Sequence, residues 1–164
     1  MDKQQINKME QHLRDLLAEH DGLLMLLKRK HEAVRQAKPG VVEDCTMREN
    51  AHVQRIGRIE KDRQQLLAAM SPAGLGRFLK LSEIAALADE PQRSHLLVLA
   101  SQLRLRMTEI REIGQVTKQT MESLLKHMQG MVQMIVQTVG GGGTYSRRGR
   151  VTQPAKLSSF SAVA

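Results

Sequence analysis

A chain of 164 residues with 41% apolar content supports one modest core, and its single cysteine, Cys45, excludes an internal disulfide. The net charge of +8 suggests nucleic acid, but all 17 acids lie between Asp2 and Glu122, interspersed with bases. After Glu122 come five bases and no acid (Lys126, Arg147, Arg148, Arg150, Lys156), so the excess gathers at the chain end and argues against a basic groove on the body.

Leu and Met dominate the apolar set, Trp is absent, and Phe78, Tyr145 and Phe160 are the only aromatics. Straight-chain residues lose little rotamer freedom in helices, whereas strands favour β-branched and aromatic residues. The composition therefore predicts an all-α fold, an antiparallel helical bundle of coiled-coil character.

The first helix is expected over about 2–37, with Asp2 as N-cap and Pro39-Gly40 as the stop. Ile6, Leu13, His20, Leu27 and Val34 recur every seven residues, with Met9, Leu16 and Leu23 three places after the first three; this is a coiled-coil seam. The five apolar residues 23–27 predict contact with more than one neighbour. The second helix, about 42–70, has a thinner seam: Val42, Cys45, Glu49, His52 or Val53, Ile56, Ile59, Arg63, Leu66 and Met70. Ser71-Pro72 reads as a helix end and a new start. A short third helix, about 77–88, carries Leu81, Ile84, Leu87 and Ala88 on one side, and Glu90-Pro91 breaks it.

The fourth helix, about 92–139, is the main element, roughly 70 Å long at its rise per residue. Leu96, Leu103, Ile110, Thr117, Leu124 and Met131 follow the heptad, and Ala100, Met107, Gly114, Met121, Met128 and Ile135 sit four residues after each. Gly114 and Thr117 are the soft spot, where a neighbour could approach or the helix bend. Residues 140–143 are four glycines, which end a helix through backbone entropy. The sequence thus divides into a helical bundle, 1–139, and a Gly-rich linker with a disordered basic tail, 140–164.

Catalytic and metal constellations are missing. No two of the six histidines stand three or four apart, so no helix face offers a His pair to a metal. His20 and Cys45 read as seam residues, and the glycine run lacks the Lys-Ser/Thr of a phosphate loop. Neither an enzyme, a cofactor nor a small-molecule substrate is expected. No run of about 18 apolar residues could span a membrane, and the start MDKQQINKMEQ lacks a signal-peptide core, so a cytoplasmic location is expected.

The anomaly is the end of the fourth helix. Leu124, Leu125, Met128, Met131, Val132, Met134, Ile135, Val136 and Val139 spread over roughly 200° of its circumference, about twice what one-sided packing needs. Either two neighbours or a homodimer mate cover this end, or part of it awaits a partner. Methionine suits a surface that must accept an incoming helix without a fixed shape.

The layout of two antiparallel helices, a small helix, a long helix and a tail resembles FlgN-type flagellar export chaperones. IEKDRQQLLAAM (59–70) is similar to the family's charged stretch leading into Arg-x-x-Leu-Leu, LSEIAAL (81–87) to its short helix, and MESLLKHMQGMVQMI (121–135) to the apolar end of its long helix. TYSRRG (144–149) resembles the element that follows, with Ser146 where glycine is usual; 114–120 contains no Asn where the family often has it. The resemblance implies a cytoplasmic chaperone that holds hook–filament junction subunits and delivers them to the flagellar type III export apparatus. The apolar wall from Leu124 to Val139, with Tyr145 ordering on binding, would be the client site. The alternative reading is a structural coiled-coil adaptor or dimer.

Overall fold

The computed structural model describes residues 3–71 and 80–140, with side chains up to residue 138. Its elements are α1 (Lys3–Arg35), α2 (Pro39–Met70), α3 (Leu81–Ala86) and α4 (Gln92–Gly140), and no strand occurs among the described residues. The all-α class and the long final helix are as expected. Two compact units are distinguished, Met1–Met121 and Glu122–Ala164. The proposed N-cap Asp2, the junction 72–79 and the tail 141–164 lie outside the described residues.

In the first unit, α1 and α2 form an antiparallel hairpin. The α1 seam lies inward: Ile6, Met9, Leu13, Leu16, Leu23 and Val34 are buried. His20 is half-buried, and its Nδ1 lies 2.7 Å from the Leu16 carbonyl, to which it donates. Of the 23–27 run, Leu23 and Leu24 are buried while Met25 points to solvent.

The turn departs from the expectation that Pro39-Gly40 stops the first helix and that the second begins near Val42. Pro39 begins α2, where a missing N–H costs nothing. The stop lies upstream, at Ala37. Its φ of 51° is left-handed, Lys38 N–H bonds Ala33 O at 2.9 Å and Ala37 N–H bonds Val34 O at 3.1 Å. This is a Schellman cap with alanine in the place glycine usually takes. Left-handed backbone costs a Cβ-bearing residue about 1–2 kcal/mol, part of which glycine returns as unfolded-chain entropy. Ala37→Gly is therefore expected to stabilise the protein by about 0.5–1 kcal/mol, read as a higher urea midpoint at unchanged slope.

Across the hairpin the thin seam of α2 is completed by polar pairs. Cys45 and Leu67 are its buried residues. Of the two candidates His52 and Val53, His52 faces α1 and Val53 is exposed. Glu19 of α1 accepts from Arg55 Nε at 2.8 Å and lies 2.6 Å from His52 Nδ1. Gly22, one turn on, makes room for that imidazole; a Cβ there would stand 2.5 Å from His52 Cε1.

Burial pushes the Glu19 carboxyl up, but hydrogen bonds from Arg55 and His52 outweigh it and hold the group below its ordinary 4.5. A carboxylate held low in the folded state stabilises above its unfolded pKa, and that contribution vanishes as pH falls through the lowered value. Stability is therefore expected to decline on acidification below about pH 5, and less steeply in Glu19→Gln, as chemical denaturation at successive pH values would show.

α3 is shorter than the sequence suggested. The Lys80 N–H donates to Glu83 Oε2 at 2.7 Å at its start, and at its end Arg93 Nε and Nη2 donate to the Ala85 and Ala86 carbonyls at 3.2 and 2.8 Å. The guanidinium satisfies carbonyls that a further turn would have used. Leu87 is exposed, contrary to its expected place on the packed side. Ala85 takes that place, being buried with Ile84 and Ala88. These three join Ile6, Met9 and Leu13 of α1, Leu67 of α2 and Leu96 of α4 in one core.

α4 runs parallel to α1 in a constant register. Gln92 bonds Asn7 at 2.5 Å and Arg106 bonds Asp21 at 2.5 Å, each pair 85 positions apart; Thr117 and His31, 86 apart, lie 3.3 Å from one another. Thr117, half of the predicted soft spot, is 4% exposed. Its hydroxyl donates to the Ile113 carbonyl at 2.7 Å and so is left to accept from His31. The small residue lets His31 sit against α4.

Candidate functional site

The α1–α4 register explains where the long helix changes character. Carried forward, it brings the last residue of α1, Arg35, opposite Thr120. The heptad of α4 ignores this limit. Its early positions Leu96, Ala100 and Thr117 are buried, whereas every residue of 121–138 is exposed. The apolar repeat therefore outlasts the helix that covers its first part.

In the second unit, Leu124, Leu125, Met128, Met131, Val132, Met134, Ile135 and Val136 are between 37% and 67% exposed. At 100° per residue all but Met134 fall within roughly 140° of one helix face, with Met134 about 60° beyond it. Lys126, Gln133 and Gln137 occupy the opposite side, Gln129 borders the face, and no Asp, Glu, Lys or Arg stands between His127 and Thr138. The surface is uniformly apolar, flanked by neutral polar groups. Val139 lies on α4, but its side chain is outside the described residues, as is all of Tyr145.

Such a surface offers no acid, base or nucleophile poised on a substrate. It offers area: each large side chain of this kind, fully buried, contributes about 1.5–3 kcal/mol. Exposed contiguous apolar surface of this length marks a place where another apolar surface docks. A helix carrying its own apolar stripe is the natural complement, because helix ridges fit helix grooves. Among the described residues no cluster of three or more His, Cys, Asp or Glu could hold a metal ion, and no helix is long and apolar enough to cross a membrane.

Sequence reasoning located this strip from its girth alone. It did not single out the polar pairs that hold α2 to α1. Lys30 Nζ of α1 and Glu49 Oε2 of α2 are 2.8 Å apart with both side chains largely buried; within α2 itself, Glu60 accepts from Arg63 Nε and Nη2 at 2.7 and 2.5 Å. The Arg63 bonds hold Glu60 below the ordinary carboxylate range against the opposing effect of burial. The signal available was the presence of Glu49 and Arg63 at seam positions, where an ionisable group requires a partner.

A family model described as FlgN protein matches residues 1–153 of the chain. No curated protein and no solved structure matches it.

Proposed function

The chain belongs to the FlgN family of flagellar export chaperones, and from that premise we propose that it holds hook–filament junction subunits by the apolar face of 124–136. The subunit contributes an amphipathic helix that lays its apolar stripe along Leu124, Met128, Met131 and Ile135. Leu125, Val132 and Val136 flank the same face. Val139 and Tyr145 extend the contact. The chaperone acts in the cytoplasm, keeps the subunit from premature assembly, and delivers it to the type III export apparatus.

The observation that carries this reading is the uncharged, exposed strip that continues the α4 heptad past the end of α1. A delivery chaperone must also let go. An apolar contact with no buried ion pair is strong enough to hold and weak enough to reverse.

The test is titration of a purified hook–filament junction subunit into the full chain by calorimetry at two salt concentrations. The expected result is a saturable complex with a negative heat-capacity change and little salt dependence, because apolar burial drives it. No complex at about a hundred micromolar, an affinity of only some 5–6 kcal/mol, would sink the proposal. A tight homodimer that protects 124–136 from hydrogen exchange and ignores the subunit would favour the adaptor reading instead.

A further inference from the structure

Two recesses of the first unit are lined by common residues. One, about 420 Å³, lies among Leu13 and Leu16 of α1, Ile56 of α2 and Leu103 and Met107 of α4. The other, about 520 Å³, lies among Gln64 and Leu67 of α2, Lys80 and Ser82 by α3, and Arg104 of α4. Arg63, Leu81 and Arg104 line both, so the two form a single groove bounded by all four helices.

The charges of this groove are unbalanced. Among the described residues, Arg63, Lys80 and Arg104 line it against one carboxylate, Glu60, and both oxygens of Glu60 are engaged by Arg63. Arg104 is exposed, and no described carboxylate pairs with it. An apolar trough beside an unanswered guanidinium matches a partner that brings apolar side chains and a carboxylate together, as an acidic amphipathic helix does at its stripe edge.

We propose that this groove docks an acidic amphipathic helix of a partner protein, at a site separate from residues 124–136. A second copy of this chain fits less well, because its exposed strip carries no acid beyond Glu122. Nucleic acid fits less well too: no Phe, Tyr or Trp is among the described lining side chains to stack on a base.

The probes are two labelled amphipathic peptides of about 20 residues, long enough to hold a helix. One combines Leu and Ala with Glu, and the other replaces Glu by Lys. Fluorescence anisotropy with the full chain is expected to show the acidic peptide binding at least about tenfold more tightly than the basic one. Arg104→Glu is expected to remove about that factor, and Met131→Glu to leave the preference for the acidic over the basic peptide in place. Arg104 is exposed, so the variant keeps the fold, as its melting curve would verify; Arg104→Gln serves if it does not. Equal binding of both peptides, indifference to Arg104, loss of the acidic preference in Met131→Glu, displacement by an oligonucleotide, or self-association that needs Arg104 would each overturn the assignment. Because Met131 and Arg104 are tested separately, failure here is distinguishable from failure of the client strip.

Discussion

Met131→Glu is expected to weaken capture of a hook–filament junction subunit by at least about a hundredfold while leaving helix content and thermal midpoint unchanged. Met131 lies midway along the length of the strip 124–136 and is 46% exposed in the free chain. Its replacement costs the complex a buried thioether, about 1.5–3 kcal/mol, and places a carboxylate in an interface with no base to meet it. A hundredfold corresponds to about 2.7 kcal/mol, so the loss of the thioether alone nearly reaches it. The free protein, in which the side chain is exposed, loses little. Capture by isothermal titration and folding by circular dichroism separate the two effects. A folded Met131→Glu chain that still binds normally would remove the strip from the mechanism.

The largest effect on stability is expected at Lys30. Its ammonium lies 2.8 Å from Glu49 Oε2 in the α1–α2 interface, and the other oxygen of Glu49 is buried without a hydrogen-bond partner. Lys30→Met removes the only countercharge to Glu49 among the described residues and strands a largely buried carboxylate. Fully buried pairs lose about 3–5 kcal/mol when one partner goes; with some solvent access remaining, about 2–3 kcal/mol is expected here. The double change Lys30→Met with Glu49→Leu is expected to recover most of that loss, because two apolar side chains can replace a buried pair at little cost. Urea denaturation of the four proteins forms the cycle. Equal instability of single and double variants would mean that side-chain shape, not charge, makes Lys30 matter.

Much of the fold was legible because periodicity reports packing directly. The α1 seam through Ile6, Leu13 and Leu16, and the inward face of early α4 at Leu96 and Ala100, follow from spacing alone. The helix ends were less legible where a local rule had two uses. Pro39 can stop one helix or start the next, and the stop rested on left-handed Ala37, a residue type that gives no warning of it. α3 ended early because Arg93, twelve positions beyond its start, caps it, a contact no local pattern encodes.

The candidate site was legible as excess. Counting apolar residues around 124–136 gave more girth than one neighbour covers. Where coverage stops was not legible, since that depends on the 85-residue register between α1 and α4, set by pairs such as Asp21 with Arg106. The groove beside Arg104 was invisible for a related reason. It exists only because four helices bring together residues far apart in the chain, and each of its apolar side chains reads singly as ordinary core.

The methionines provide the most direct measurement. In a chain labelled at its methionine methyl groups, adding the subunit is expected to shift or broaden the NMR signals of exposed Met128, Met131 and Met134. Met9, wholly buried in the core, and Met47, exposed on α2, are expected to stay in place. If binding instead moved Met47 or Met9 and left the three signals of the strip untouched, the subunit would be held elsewhere and the account would be wrong.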